Sequence, residues 1–115
     1  MHELGVVFHV IKMVEEVVAE NDLTQVDSVT LELGEVSTVI ESYLQDVWKW
    51  AVKNRSEHMQ EASLIVEIIP AITFCEDCKQ EYGTVEHGKT CPHCGSGNTY
   101  LLQGNEFTIT EISAC

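Results

Sequence analysis

Between Leu4 and Glu20 the apolar residues Leu4, Val7, Phe8, Ile11, Val14 and Val18 recur at three- and four-residue spacing, and Val6, Val10, Met13 and Val17 widen the same stripe. His9, Lys12, Glu16 and Glu20 fall opposite, so the segment predicts an amphipathic helix that starts almost at the first residue. The polar run AENDLT ends it. Val29, Leu31 and Leu33 then alternate with Ser28, Thr30 and Glu32, the period of a strand with one buried face, and Gly34 closes it.

A second helix is expected within STVIESYLQDVWKWAVKN, with Thr38 and Glu41 as a capping box and Ile40, Tyr43, Leu44, Val47, Trp48 and Ala51 on one face. Trp48 belongs to that stripe. Trp50 falls off it, which suits either an interface residue or a rim contact. The segment SLIVEIIP reads as a strand with Leu64, Val66 and Ile68 on one face and Pro70 at its end. Alternation returns at FTITEI, where Phe107 and Ile109 share a face but Ile112 breaks parity, as at a bulge or a frayed end. The pattern predicts an α+β fold: a two-layer domain of two helices on a small sheet of about three strands, formed by residues 1–70 plus 105–115. Residues 71–104 have little to build a core from and are expected to form an inserted zinc-ribbon-like domain.

Composition narrows the function. At 115 residues, 44% of them hydrophobic and 22% charged, the chain has room for one modest core and a smaller metal-stapled module. Six Lys and Arg against nineteen Asp and Glu give a net charge of −13, which repels phosphate backbones and argues against nucleic-acid binding. The sequence contains neither a long apolar span nor a signal-like start, so a cytoplasmic protein without membrane attachment is expected. Such a surface fits metal ions and a partner with basic patches, although solvated carboxylates are the default for this charge.

Four of the five cysteines form two CxxC pairs, Cys75 with Cys78 and Cys91 with Cys94, and twelve residues separate the pairs. Two residues between thiols let both sulfurs reach one ion from a tight knuckle, and the intervening dozen suit a short hairpin that joins the knuckles tetrahedrally. Four thiolates suit Zn(II), and a filled shell makes that zinc structural rather than hydrolytic. A rubredoxin-like iron site would need a much longer spacer, and a thioredoxin-like redox site needs only one pair. His87 and His93 lie in or beside the module without being needed as ligands, while His58 and Cys115 belong to no motif.

The chain opens MHE. A free α-amine on Met1 and the His2 amide close a five-membered chelate, and the His2 imidazole closes a six-membered ring with that amide. The Glu3 amide or carboxylate completes the set, and a flat array of nitrogens suits Ni(II) or Cu(II) better than tetrahedral Zn(II). The bulk of His2 disfavours removal of Met1. An exposed terminal histidine is the alternative reading of the same residues.

The joint presence of MHEL, LELGEVS after the first helix, FCEDC, CPHCG and GNEFTITEI resembles the HypA/HybF family of hydrogenase nickel-incorporation proteins, in order and end to end. The resemblance implies a nickel metallochaperone, not an enzyme. Ni(II) would be held transiently by Met1, His2 and Glu3, and structural Zn(II) by Cys75, Cys78, Cys91 and Cys94. It also implies a HypB-type GTPase and the hydrogenase large subunit as partners, with urease maturation proteins in some members. A zinc-ribbon adaptor that binds partners without carrying nickel is the competing reading. No nucleophile with a placed base and no phosphate-binding loop can be read from the chain.

Overall fold

The computed structural model describes residues 3–115. Their order is α1 (Glu3–Glu20), β1 (Val26–Gly34), α2 (Glu41–Arg55), β2 (Ser63–Ile69), β3 (Ile72–Cys75), β4 (Glu81–Gly83), α3 (Thr84–His87), β5 (Thr99–Gln103) and β6 (Phe107–Ala114). Two three-stranded sheets form, in the orders β2-β1-β6 and β4-β3-β5. Among the described residues no helix is long and apolar enough to cross a membrane. The chain divides into two compact units: the first runs to Glu32 and takes in Thr38–Glu67 and Thr108–Cys115, and the second comprises Leu33–Ser37 and Ile68–Phe107.

The first unit rests on an apolar core. Helix α1 buries Val6, Val7, Val10, Ile11, Val14 and Val18, the centre of the stripe its periodicity predicts, while Leu4 and Met13 at its margins are 39% and 42% exposed. Val26, Val29 and Leu31 of β1 are fully buried. Helix α2 adds Leu44, Trp48, Ala51 and Val52. Trp48 is 2% exposed, and its indole N–H donates to the Ala62 carbonyl at 2.9 Å, so the largest core side chain also has its one polar atom satisfied.

Three expectations need correction. Helix α2 begins at Glu41 with Ile40 at its N-cap and no side-chain cap, so Thr38 and Glu41 do not form a capping box. With Glu41 itself the first helical residue, Thr38 lies two positions too early to serve as N-cap. Ile40 and Tyr43, expected in the core, are 51% and 57% exposed, because the buried face of α2 is centred on Leu44, Trp48 and Ala51 and Val52 extends it the other way. Ile68 is 48% exposed although Leu64 on the same face is buried, as befits the far end of an edge strand. The parity break in β6 is present: half-burial shifts from Phe107 and Ile109 to Ile112 and Ala114, while the strand continues without fraying.

In the second unit the backbone passes itself very closely. A Cβ on Gly34 would collide with the Gly104 carbonyl, and one on Gly104, whose φ is 118°, would lie 2.5 Å from the Ala71 Cα. Val36 N–H donates to the Gly104 carbonyl at 2.8 Å across this crossing, which only side-chain-free residues permit.

Candidate metal centre

Strand β3 delivers Cys75 as its last residue, paired antiparallel with β4 (Thr73 opposite Tyr82) and with β5 (Cys75 opposite Thr99). Past Cys75 the chain turns back at once. Lys79 N–H donates to the Cys75 carbonyl and Cys75 N–H to the Gln80 carbonyl, both at 2.9 Å, with Lys79 in the left-handed region at φ 60°. The second pair repeats this construction: Gly95 N–H donates to the Cys91 carbonyl and Cys91 N–H to the Ser96 carbonyl, again at 2.9 Å, with Gly95 at φ 75°. The two knuckles are therefore the same backbone device built twice. Glycine fills the left-handed position in one copy and lysine tolerates it in the other.

The four sulfurs converge, all lying within 4.8 Å of one another. Cys75 Sγ is 3.6 Å from Cys94 Sγ, and Cys78 Sγ is 3.5 Å from Cys91 Sγ. A tetrahedron with metal–sulfur bonds of about 2.3 Å has edges of about 3.8 Å, so the donor set and its spacing fit a four-thiolate ion. Cys75 and Cys91 are buried with Tyr82, and half-buried Cys78 packs against them. Cys94 faces solvent.

The surroundings of the thiols are unequal. Burial pushes the Cys91 thiol up, but the backbone N–H groups of Cys94 and His93, with help from Cys78, outweigh it and hold Cys91 at about 6. His93 N–H lies 3.3 Å from Cys91 Sγ. Burial, reinforced by the hydrogen bond to Cys91, pushes Cys78 up to about 12. Cys94 is also raised, the Ser96 backbone N–H opposing the hydrogen bond to Cys75 and burial. Backbone donors thus favour the thiolate at Cys91, whereas burial favours the thiol at Cys78.

Beyond the sulfurs, Asp77 joins the two knuckles. Its carboxylate accepts from the Ser96 hydroxyl and from the Asn98 amide at 3.3 Å, and these two bonds hold it below the usual carboxylate range. Tyr82 donates through its hydroxyl to the Gly88 carbonyl at 2.9 Å. The His87 ring meets Tyr82 edge-on at 5.9 Å. The metal-capable group contains the four cysteines and neither His87 nor His93.

Of the terminal set, Met1 and His2 lie outside the described residues. Glu3 is half-buried and opens α1, where a carboxylate favours the positive end of the helix. Reading the sequence missed one polar cluster. Glu15 on α1 accepts from the Ser56 hydroxyl through one oxygen and pairs with His58 Nδ1 at 3.0 Å through the other. Ser56 and His58 lie more than forty positions from Glu15, so no spacing could have joined them to it.

The comparisons with known proteins agree with this architecture. A family model described as "Hydrogenase/urease nickel incorporation, metallochaperone, hypA" matches residues 1–114. The chain belongs to the HypA family. It is 30% identical over 112 residues to the hydrogenase maturation factor HybF of Klebsiella pneumoniae, covering 97% of each chain. It is also 30% identical over 112 residues to HypA of Shewanella oneidensis, covering 97% of this chain and 93% of that protein. The solution structure of the nickel metallochaperone HypA from Helicobacter pylori shares the fold, with a TM-score of 0.74 at 24% identity over 99% of this chain and 97% of that one. HypA proteins are metallochaperones of hydrogenase maturation, and both the mixed α+β fold and the four-cysteine cluster accord with that family.

Proposed function

We propose that this HypA protein binds Ni(II) through Met1, His2 and Glu3 and delivers it in the cytoplasm to the large subunit of nickel-iron hydrogenase with a HypB-type GTPase, and that its role extends to urease maturation. Structural Zn(II) is held by Cys75, Cys78, Cys91 and Cys94. The functional division is then residues 1–70 with 105–115 for nickel and 71–104 for zinc. The family match across residues 1–114, which takes in MHE and both CxxC pairs, carries this reading.

The chemistry of the two sites supports different tasks. Four converging thiolates leave no position for an exchanging ligand, so the zinc stays and holds its surroundings together. An amine, an amide and an imidazole at a chain terminus enclose their ion only partly. A recipient's ligands can approach from the open side and displace the donors one at a time, so transfer proceeds by exchange instead of free dissociation.

A nickel titration of the zinc-loaded protein with its native terminus, beside one carrying two extra residues before Met1, tests the assignment. We expect one nickel with flat-site absorption in the native protein and loss of that site in the extended one. Equal binding by both, or by neither, would remove the terminal site and favour a zinc-ribbon adaptor. Metal analysis of the protein as purified tests the second site, where iron and visible colour would replace zinc with a rubredoxin-like centre.

A further inference from the structure

The four sulfurs differ in how easily they are reached. Cys75 and Cys91 are buried, Cys78 is half-buried and Cys94 is exposed, so a competing ligand entering from solvent meets Cys94 first. A displaced sulfur returns to the ion only if its own knuckle stays close, because closeness sets the effective concentration at which it rebinds. The β3–β5 pairing does not secure this alone. It ends at Cys75 opposite Thr99, short of the turns that carry Cys78 and Cys94.

Asp77 spans the gap between those turns. It lies between Cys75 and Cys78 in the first knuckle, whereas Ser96 and Asn98 follow Cys94 in the second. One carboxylate oxygen accepts from the Ser96 hydroxyl and the other from the Asn98 side-chain amide at 3.3 Å. The Ser96 hydroxyl oxygen accepts in turn from the Asn98 backbone N–H at 3.0 Å, and the Asn98 carbonyl accepts from the Glu76 N–H at 3.0 Å. Ser96 is itself tied to the second knuckle, since its carbonyl accepts from the Cys91 N–H at 2.9 Å. A path of hydrogen bonds therefore runs from Cys91 through Ser96 to Asp77. None of these bonds uses a sulfur, so the path survives when a thiolate leaves the ion. A single exposed ion pair would count for little, but here one charged acceptor takes two donors and a backbone bond closes the ring beside them.

With Zn(II) at the four cysteines, as proposed above, we infer that Asp77 is a positioning residue of that centre: through Ser96 and Asn98 it holds the second knuckle closed, so that Cys94 religates before the ion is lost. Asp77 then sets how long the metal stays, not which atoms ligate it. In a protein that passes one ion on and retains another, this latch keeps the retained ion out of exchange.

The test is transfer of zinc from the loaded full chain to an excess of a chromogenic chelator. Beside it, absorption of the cobalt-substituted protein reports four-thiolate ligation through its sulfur-to-metal charge-transfer bands. We expect Asp77→Asn and Ser96→Ala each to release zinc about tenfold faster or more, with one zinc bound and the cobalt bands unchanged. Asp77→Asn sets an amide N–H against that of Asn98. Adding Asn98→Asp exchanges donor and acceptor, and release should slow again toward the wild-type rate. Release at the wild-type rate in Asp77→Asn and Ser96→Ala would overturn the inference and leave the zinc site standing. Faster release in Asp77→Asn alone, uncorrected by Asn98→Asp, would trace the effect to charge and overturn it as well. Wild-type protein lacking the four-thiolate bands would overturn the zinc reading itself, and the latch with it.

Discussion

The two units hold themselves together by different means. The first buries a continuous set of valines, leucines and one tryptophan drawn from α1, β1, α2 and the segment around β2, so packing specifies it. Around the knuckles the second has a core cluster of Cys75, Tyr82 and Cys91, with Cys78 packed against it, so three of those four side chains are thiols. Its order rests on backbone turns and sheet pairing and, with the proposed zinc bound, on that ion. The comparison teaches that a segment too poor in apolar residues to fold by burial can be specified by ligand geometry, provided that each ligand sits on a turn which points it inward.

Metal removal is the strongest way to break this comparison. Structural zinc contributes on the order of 10–16 kcal/mol of apparent folding energy in small zinc modules, more than a cluster of this size can replace. Chelation, or Cys75→Ser with Cys91→Ser, is expected to abolish protection of β3, β4 and β5 amides from hydrogen exchange. Protection in α1 and the first part of β1 should remain. Simultaneous loss in both units would show that the apolar core does not stand without the zinc module.

Trp48→Ala probes the other side. It removes the largest fully buried side chain and leaves the Ala62 carbonyl without its donor, so a cost of about 3–5 kcal/mol is expected in denaturant unfolding of the first unit. Zinc stoichiometry in the folded state should not change. Trp50 is the matched control: two positions away and half-exposed, its truncation should move stability by less than about 1 kcal/mol.

What could be read from the chain followed where the physics is local. The centre of the α1 stripe, the β1 strand and the CxxC spacing each depend on residues within a few positions of one another, and each appears where the pattern put it, although Thr30, expected on the open face of β1, is buried. The parity break at Ile112 was visible for the same reason. The failures lie where a neighbour elsewhere in the chain decides. Ile40 and Tyr43 have the spacing of core residues, but burial of α2 is set by which arc of its apolar surface finds a partner. Glu15, Ser56 and His58 form one network through side chains brought together by the fold alone. The Gly34 and Gly104 crossing likewise joins residues seventy positions apart, and neither glycine announces its counterpart.

The last prediction sharpens the comparison with protons. Zinc takes thiolates and releases the protons the thiols carry, so acid favours the metal-free cluster. At neutral pH Cys91, held at about 6, is already largely deprotonated, whereas Cys78, pushed up to about 12, and Cys94, also raised, carry their protons until the metal displaces them. These two sites alone make zinc affinity fall about a hundredfold per pH unit near neutrality, or about 2.7 kcal/mol per unit. Below the Cys91 value the proton of Cys91 joins those released and the slope steepens by about another tenfold per unit. Zinc affinity measured with a competing chelator from neutral pH down through 6 should show that break, while Cys91 held up by substitution of a neighbour should move it. His93→Pro removes the backbone N–H that donates to Cys91, and its expected signature is a break at higher pH with little change in the unfolding of the first unit.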